Sequence, residues 1–206
     1  MIRELLPLSA YEPAEQTSQL RMALVMSAMW GVPMTVFILA AADDVLGVVF
    51  SLGLGAAAAL AFGFSWTYMF TRDMRKLVRR IYEGDPRIVP PPPAGEYAYR
   101  VSCSYLLSPR MAVGGHLYVG PGELTFAPHR KNLKRHQAPL SIPTTPQPVI
   151  EPVEVPQSRT MQLLGAPPAV SRLQVRASGT TATFAAPQPE QVAERLREYL
   201  RTAARG

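Results

Sequence analysis

The 206-residue sequence predicts two transmembrane α-helices forming a hairpin, followed by an α+β domain. That domain is expected as about seven antiparallel strands in a small barrel, capped by a C-terminal helix. Three observations predict this. Residues 22–42 and 45–71 are uncharged runs of 21 and 27 residues, parted only by Asp43 and Asp44. A spanning helix needs about 20 predominantly apolar residues, and in lipid it satisfies its own backbone hydrogen bonds. From Tyr97 onward, short alternating runs divided by Gly and Pro replace the long apolar ones. Residues 190–203 then close the chain with helical periodicity.

Residues 1–21 mix Leu5, Leu6, Leu8 and Leu20 with Pro7, Pro13 and three glutamates, and read as a loosely ordered tail or short interfacial segment. The hairpin occupies 22–71. In its second run Gly47, Ser51, Gly55, Ala59, Gly63 and Thr67 recur at every fourth position, and Ala23, Ser27, Gly31 and Thr35 do so in the first. Small residues at this spacing let helix backbones approach where lipid offers little drive for pairing. The stripe therefore reads as packing within the hairpin, with homodimerisation or a second membrane protein as the alternative. Pro33 is expected to kink the first helix. A buried hairpin inside a soluble bundle fits less well, because soluble helices seldom lack charge around their whole circumference for so long. No Asp, Glu, Lys, Arg or His lies in either run, so a pore or transporter acting alone is not expected.

Residues 72–84 form a basic juxtamembrane helix, with Met74, Leu77, Val78 and Ile81 on one side. Arg72, Arg75, Lys76, Arg79 and Arg80 lie on the other side, and Gly84 with Asp85-Pro86 ends the segment. These arginines flank the second run while the turn holds two aspartates, so both termini are expected in the cytoplasm. A multi-pass protein of a bacterial inner membrane is the expected setting, in keeping with eighteen Arg against three Lys. Cys103 is the only cysteine, which excludes an internal disulfide and agrees with a reducing compartment. The linker, 85–95, contains four consecutive prolines at 90–93, expected to extend as polyproline II and space the domain from the bilayer.

Within 96–206, Tyr97, Tyr99, Val101, Cys103 and Tyr105 alternate as a strand. Leu117-Tyr118-Val119, the turn Gly120-Pro121-Gly122 and Leu124-Thr125-Phe126 read as a hairpin. Further strands are expected at 139–142, 149–155, 170–176 and 180–185, the last two joined by Ala177-Ser178-Gly179. In the closing helix Val192, Leu196, Tyr199 and Leu200 form the apolar stripe, with Pro189 at its start.

The run Gly114-Gly115-His116-Leu117-Tyr118-Val119, followed by Leu124-Thr125-Phe126-Ala127-Pro128-His129-Arg130, resembles the GRAM and bacterial pleckstrin-homology (PH) families. The likeness covers 96–204. It departs from the families at Gly120-Pro121-Gly122 and in the Pro-rich segment 139–156. The resemblance implies a PH-like barrel and a role in lipid or protein binding rather than catalysis.

The densest polar feature is His129-Arg130-Lys131-Asn132-Leu133-Lys134-Arg135-His136, with four formal positive charges in eight residues. Arg130, Lys131, Lys134 and Arg135, with Arg75, Lys76, Arg79 and Arg80, are the candidates for contact with anionic lipid headgroups. The alternative is a solvated loop whose Pro-His-Arg start is structural. Nucleic acid is not an expected partner, since the patch lacks interleaved aromatics. No zinc-protease, thiol-pair, nucleophile-elbow or phosphate-loop motif occurs, so no catalytic residue, metal or cofactor is expected. The expected function is a membrane-anchored adaptor that recruits or organises a membrane or cytoplasmic protein partner. The alternatives are an anionic-lipid sensor and an accessory subunit of a transport or secretion complex.

Overall fold

The second apolar run and the basic stretch after it form one helix rather than two. In the computed structural model, which describes residues 2–11, 16–40, 45–108, 111–133, 140–157, 159 and 167–204, α1 spans Gln16–Leu39 and α2 spans Val45–Glu83. The expectations for Asp43, Asp44, Lys134, Arg135 and His136 lie outside the described residues. The 39 residues of α2 span about 58 Å at about 1.5 Å each. Among the described residues, α2 is the one helix long and apolar enough to cross a membrane; the apolar part of α1, Ala23–Phe37, is shorter. Gly84, at φ +78°, ends α2 in a left-handed turn. Its N–H donates to Ile81 O at 3.1 Å and that of Asp85 to Arg80 O at 2.9 Å, the paired bonds of a Schellman cap.

The described residues divide into two compact units, one within Glu12–Leu77, the other within Met1–Tyr11, Val78–Gln162 and Ala166–Gly206. In the helical unit α1 and α2 meet through their small residues. A Cβ added at Gly31 would strike Ala59, one at Gly63 would strike Ser27, and one at Gly55 would lie 2.6 Å from Thr35 Oγ1. That register is antiparallel, as a hairpin requires. Large apolar side chains such as Phe37, Leu46 and Phe50 point outward.

The second unit is an eight-stranded open sheet with a C-terminal helix. Its strands are β1 (Arg3–Glu4), β2 (Tyr99–Ser108), β3 (Met111–Val119), β4 (Glu123–Pro128), β5 (Leu140–Pro143), β6 (Val149–Pro156), β7 (Ala169–Ala177) and β8 (Thr180–Ala185). The short helix α3 (Arg130–Leu133) follows β4, and α4 (Pro189–Ala203) closes the chain. The order along the sheet is β5-β4-β3-β2-β8-β7-β6, antiparallel throughout, with β1 parallel to the start of β2. In place of the expected small barrel plugged at one open corner, the described residues form an open sheet with two ends, β5 and β6. One end is four residues long; the other contains Pro152 and Pro156.

Those prolines fit because β6 is an edge. Gln157 N–H points to β7, donating to Pro168 O at 2.8 Å, whereas Ile150 O points away from β7 and accepts Arg197 Nε of α4 at 2.8 Å. Alternation then directs residues 150, 152, 154 and 156 to the outer edge. Pro152 and Pro156 have no N–H to offer there.

The core joins distant segments. Val192, Ala193, Leu196 and Leu200 of α4 pack against Val101, Leu117, Leu124, Leu173 and Phe184 of the sheet. Leu5 and Leu6 are buried in the same cluster, and Arg3 N–H and Leu5 N–H donate to Ala98 O and Arg100 O. The first eleven residues are therefore part of the sheet unit rather than a loose tail.

Candidate functional site

Alternation along three neighbouring strands gives the sheet a second, polar face. β2 directs Val101, Cys103 and Tyr105 to the core, β3 directs Val113, Leu117 and Val119, and β4 directs Leu124 and Phe126. The opposite face therefore carries Arg100, Ser102 and Ser104 on β2, His116 and Tyr118 on β3, and Thr125 on β4. An antiparallel sheet can leave such a face in water. Here it is covered: His116 is 0% and Tyr118 1% exposed.

The cover is a strap formed by the last turns of α2 and the linker to Tyr97. Arg100 is its main fastening. Its Nη2 donates to Tyr82 O at 2.7 Å, and its Nε donates to Glu4 Oε1 at 2.6 Å. Tyr11 Oη donates to Glu4 Oε2 at 3.2 Å and accepts Ser102 N–H at 3.3 Å. The rings of Tyr11 and Tyr82 meet edge to face with centroids 5.8 Å apart. One guanidinium thus ties the N-terminal segment, β2 and the end of α2 together. Further along, Ile88 O accepts Arg130 N–H at 2.9 Å and Val89 is buried. Tyr97 Oη donates to Glu123 Oε1 at 2.5 Å, and its ring packs on Tyr118. Burial raises the carboxyl pKa of Glu4, an effect that the adjacent Arg100 charge opposes.

Beneath the strap lie two histidines. The ring of His116 sits 5.1 Å from that of His129 and 6.1 Å from that of Tyr118. Burial pushes the imidazole of His116 down to about 3, helped by His129 and Arg100 and opposed by the Ile81 backbone. Burial lowers His129 as well. Among the described residues, neither ring nitrogen of His116 makes a hydrogen bond of good geometry, nor do His129 Nε2 and Tyr118 Oη. Cys103 lies on the other face, buried, its thiol pushed up to about 12 by burial; that is a packed side chain rather than a nucleophile.

The basic residues singled out from the sequence divide between the units. Arg75 and Lys76 are exposed on α2 in the helical unit, while Arg79, Arg80, Arg130 and Lys131 are exposed in the sheet unit. Arg79 pairs with Glu83 at 2.8 Å. The bond from Arg130 to Ile88 ties α3 to the linker, so the basic end of α2 and the basic start of α3 flank one short segment. Lys134 and Arg135 lie outside the described residues. Of the packing residues, Gly55 and Gly63 are buried and Gly47 and Ala59 half-buried, and Ser51 lies within α2.

Elsewhere on the sheet unit, a groove of about 530 Å³ runs between the N-terminal segment, β2 and α4. Tyr99 and Tyr199 form its corner, their rings 5.4 Å apart at 82°. Glu4, Leu5, Arg195, Glu198 and Thr202 complete it. Neither the groove nor the Arg100 fastening was visible in the sequence, because Glu4 and Arg100 are 96 positions apart. No protein-family model and no curated protein matches this chain.

Proposed function

We propose that this chain is a non-enzymatic, membrane-anchored module of the PH/GRAM-like type that recruits or organises a protein partner at the cytoplasmic face of a membrane. The observation that carries the reading is the tether. The chain leaves the sheet unit after Tyr11 and re-enters it at Val78, with Tyr11 and Tyr82 in contact. A hairpin that starts and ends at one domain crosses a bilayer an even number of times, so α1 and α2 serve as its two spans. The order of the sheet supports the PH-like part: a four-strand meander β2–β5, a passage to the far edge, a three-strand meander β6–β8 and a closing helix. The Tyr99–Tyr199 groove is the docking surface in this reading.

The test is a photo-crosslinker placed at Glu198 or Thr202 of the full chain in native membranes. An adduct with one recurring polypeptide is expected, and a second crosslinker at Thr181, on β8 away from the groove, should give none. Absence of adducts from both groove positions would remove the reading.

A second reading, contact with anionic headgroups, is favoured by the bond that joins Arg130 to the linker behind Arg79 and Arg80. Each basic side chain near such a surface contributes about 1 kcal/mol. Replacing Arg79, Arg80, Arg130 and Lys131 by alanine is then expected to abolish salt-sensitive clustering of anionic lipid around the reconstituted chain, read by fluorescent-lipid quenching. An unchanged signal would leave the adaptor reading alone.

A further inference from the structure

We propose that the strap over β2, β3 and β4 is an acid-released latch: protonation of His116 and His129 frees residues 78–97 from the sheet and bares its polar face. The geometry makes the cover one-sided. It is fastened at its margins, by Arg100 to Tyr82 O and by Arg130 to Ile88 O, and sealed by Val89. Over the centre it supplies little. His116 and Tyr118 are almost wholly buried, and among the described residues their polar ends, with His129 Nε2, make no hydrogen bond of good geometry, the Ile81 backbone lying near His116 and Arg100 near Tyr118. Buried polar groups that are poorly hydrogen-bonded cost free energy, so the closed state is held against a standing penalty at its middle.

The groups facing the two imidazoles decide what acid does. From β2 comes Arg100, with Glu4 and Tyr11 of the N-terminal segment bound behind it. Tyr118 lies beside His116 on β3, and Arg130 and Lys131 follow His129. The strap presents the Ile81–Tyr82 backbone; its own Arg79, Arg80, Glu83, Arg87 and Glu96 are exposed, and its half-buried Asp85 accepts the Arg87 N–H. Glu4, the carboxylate bound behind Arg100, is already paired with it. A proton on His116 therefore meets the His129 imidazole and the Arg100 guanidinium, with the Ile81 backbone alone in its favour, and one on His129 is opposed by burial.

The sign follows. Both imidazoles have lowered pKa values in the closed form and regain an ordinary value of about 6.5 once solvated. Opening takes up protons, so it is favoured as pH falls below about 6.5 and is insensitive to pH above it. At pH 5.5 the opening constant should rise about tenfold through His116 alone and up to about a hundredfold if both rings protonate.

The experiment is amide hydrogen exchange on the full chain in detergent at pH 7.5 and 5.5, corrected for intrinsic rates. Arg130 N–H and Val89 N–H report the strap; Val175 and Ala182, in the β7–β8 ladder, report the rest of the sheet. The strap amides are expected to lose at least tenfold in protection at pH 5.5 while the ladder keeps its own. His116→Gln with His129→Gln should erase most of that dependence. Strap protection that is constant with pH, or a pH dependence that survives in the double variant, would overturn the proposal. Parallel loss in the ladder would also overturn it, by making the event global unfolding. Should the double variant fail to fold, maleimide labelling of a Val89→Cys, Cys103→Ala chain, referenced to a Thr181→Cys, Cys103→Ala chain, gives the same reading. Relative labelling of position 89 that does not rise at pH 5.5 would sink the latch.

Discussion

Gly115 is the position on the core face of β3 where the ring of Phe126 lies across the strand. A Cβ there would fall 2.6 Å from Phe126 Cζ and collide with Ala127 O. Phe126 in turn packs on Tyr105 and Phe184, with centroids 5.7 Å away in each case, so the ring has no vacant side to retreat to. Gly115→Ala is expected to destabilise the sheet unit by about 1–3 kcal/mol through overpacking, measured by denaturant unfolding of the detergent-solubilised chain. Arg100→Ala should cost more, about 3–5 kcal/mol, because Glu4 is left buried without its partner. Arg100→Leu with Glu4→Leu should recover much of that loss in the same assay. His116 gives unfolding its own pH signature. Its neutral form is favoured in the folded state, so its contribution is intact above pH 6.5. Below that it should fall by about 1.4 kcal/mol per pH unit toward the folded value. Stability measured at pH 7.5 and 5.0 should differ less in His116→Gln than in the parent. In the sequence Gly115 and His116 stood out only within the run Gly114–Val119 that carries the family resemblance, the strand itself being read from Leu117. The sequence was silent on what faces them, because the covering side chains come from positions 81–97 and from the first eleven residues.

At the scale of elements, the local signals were the legible ones. Gly84 and Asp85-Pro86 stop α2 where the sequence ends its helix, and Ala177-Ser178-Gly179 turns β7 into β8 through two residues of positive φ. The proline content of 139–156 looked foreign to a barrel because its strand was imagined with neighbours on both sides. With β6 at an edge, Pro152 and Pro156 remove outward donors, a recognised protection against unwanted strand pairing. Pro152→Thr with Pro156→Thr is expected to raise self-association of the chain at unchanged helix content, seen as concentration-dependent sedimentation in detergent; unchanged sedimentation would refute that role. For the helices, Gly55→Val and Gly63→Val would drive side chains into Thr35 and Ser27. They are expected to loosen α1 from α2, read as a gain in protease cleavage within residues 40–45 relative to a Gly53→Val control, since Gly53 faces open space.

At the scale of the whole molecule, the sequence suggested modules in series: tail, hairpin, helix, linker, domain. The contacts of the sheet unit regroup them. Leu5 and Leu6 belong to the same core as Leu196 and Leu200, and Arg195 of α4 donates to Leu5 O. Nothing local in residues 1–11 announces this, since β1 is two residues long and pairs only with a strand that begins at Tyr99. In the language of gene architecture, the apolar hairpin is an insertion within a discontinuous domain, not an anchor attached to its end. A fragment that begins after the linker would lack two core leucines and the counter-ion of Arg100, and would report on a damaged fold. Because the rings of Tyr11 and Tyr82 touch, the insertion can instead be excised and its flanks rejoined by a short flexible connection, leaving the sheet domain with its first strand in place.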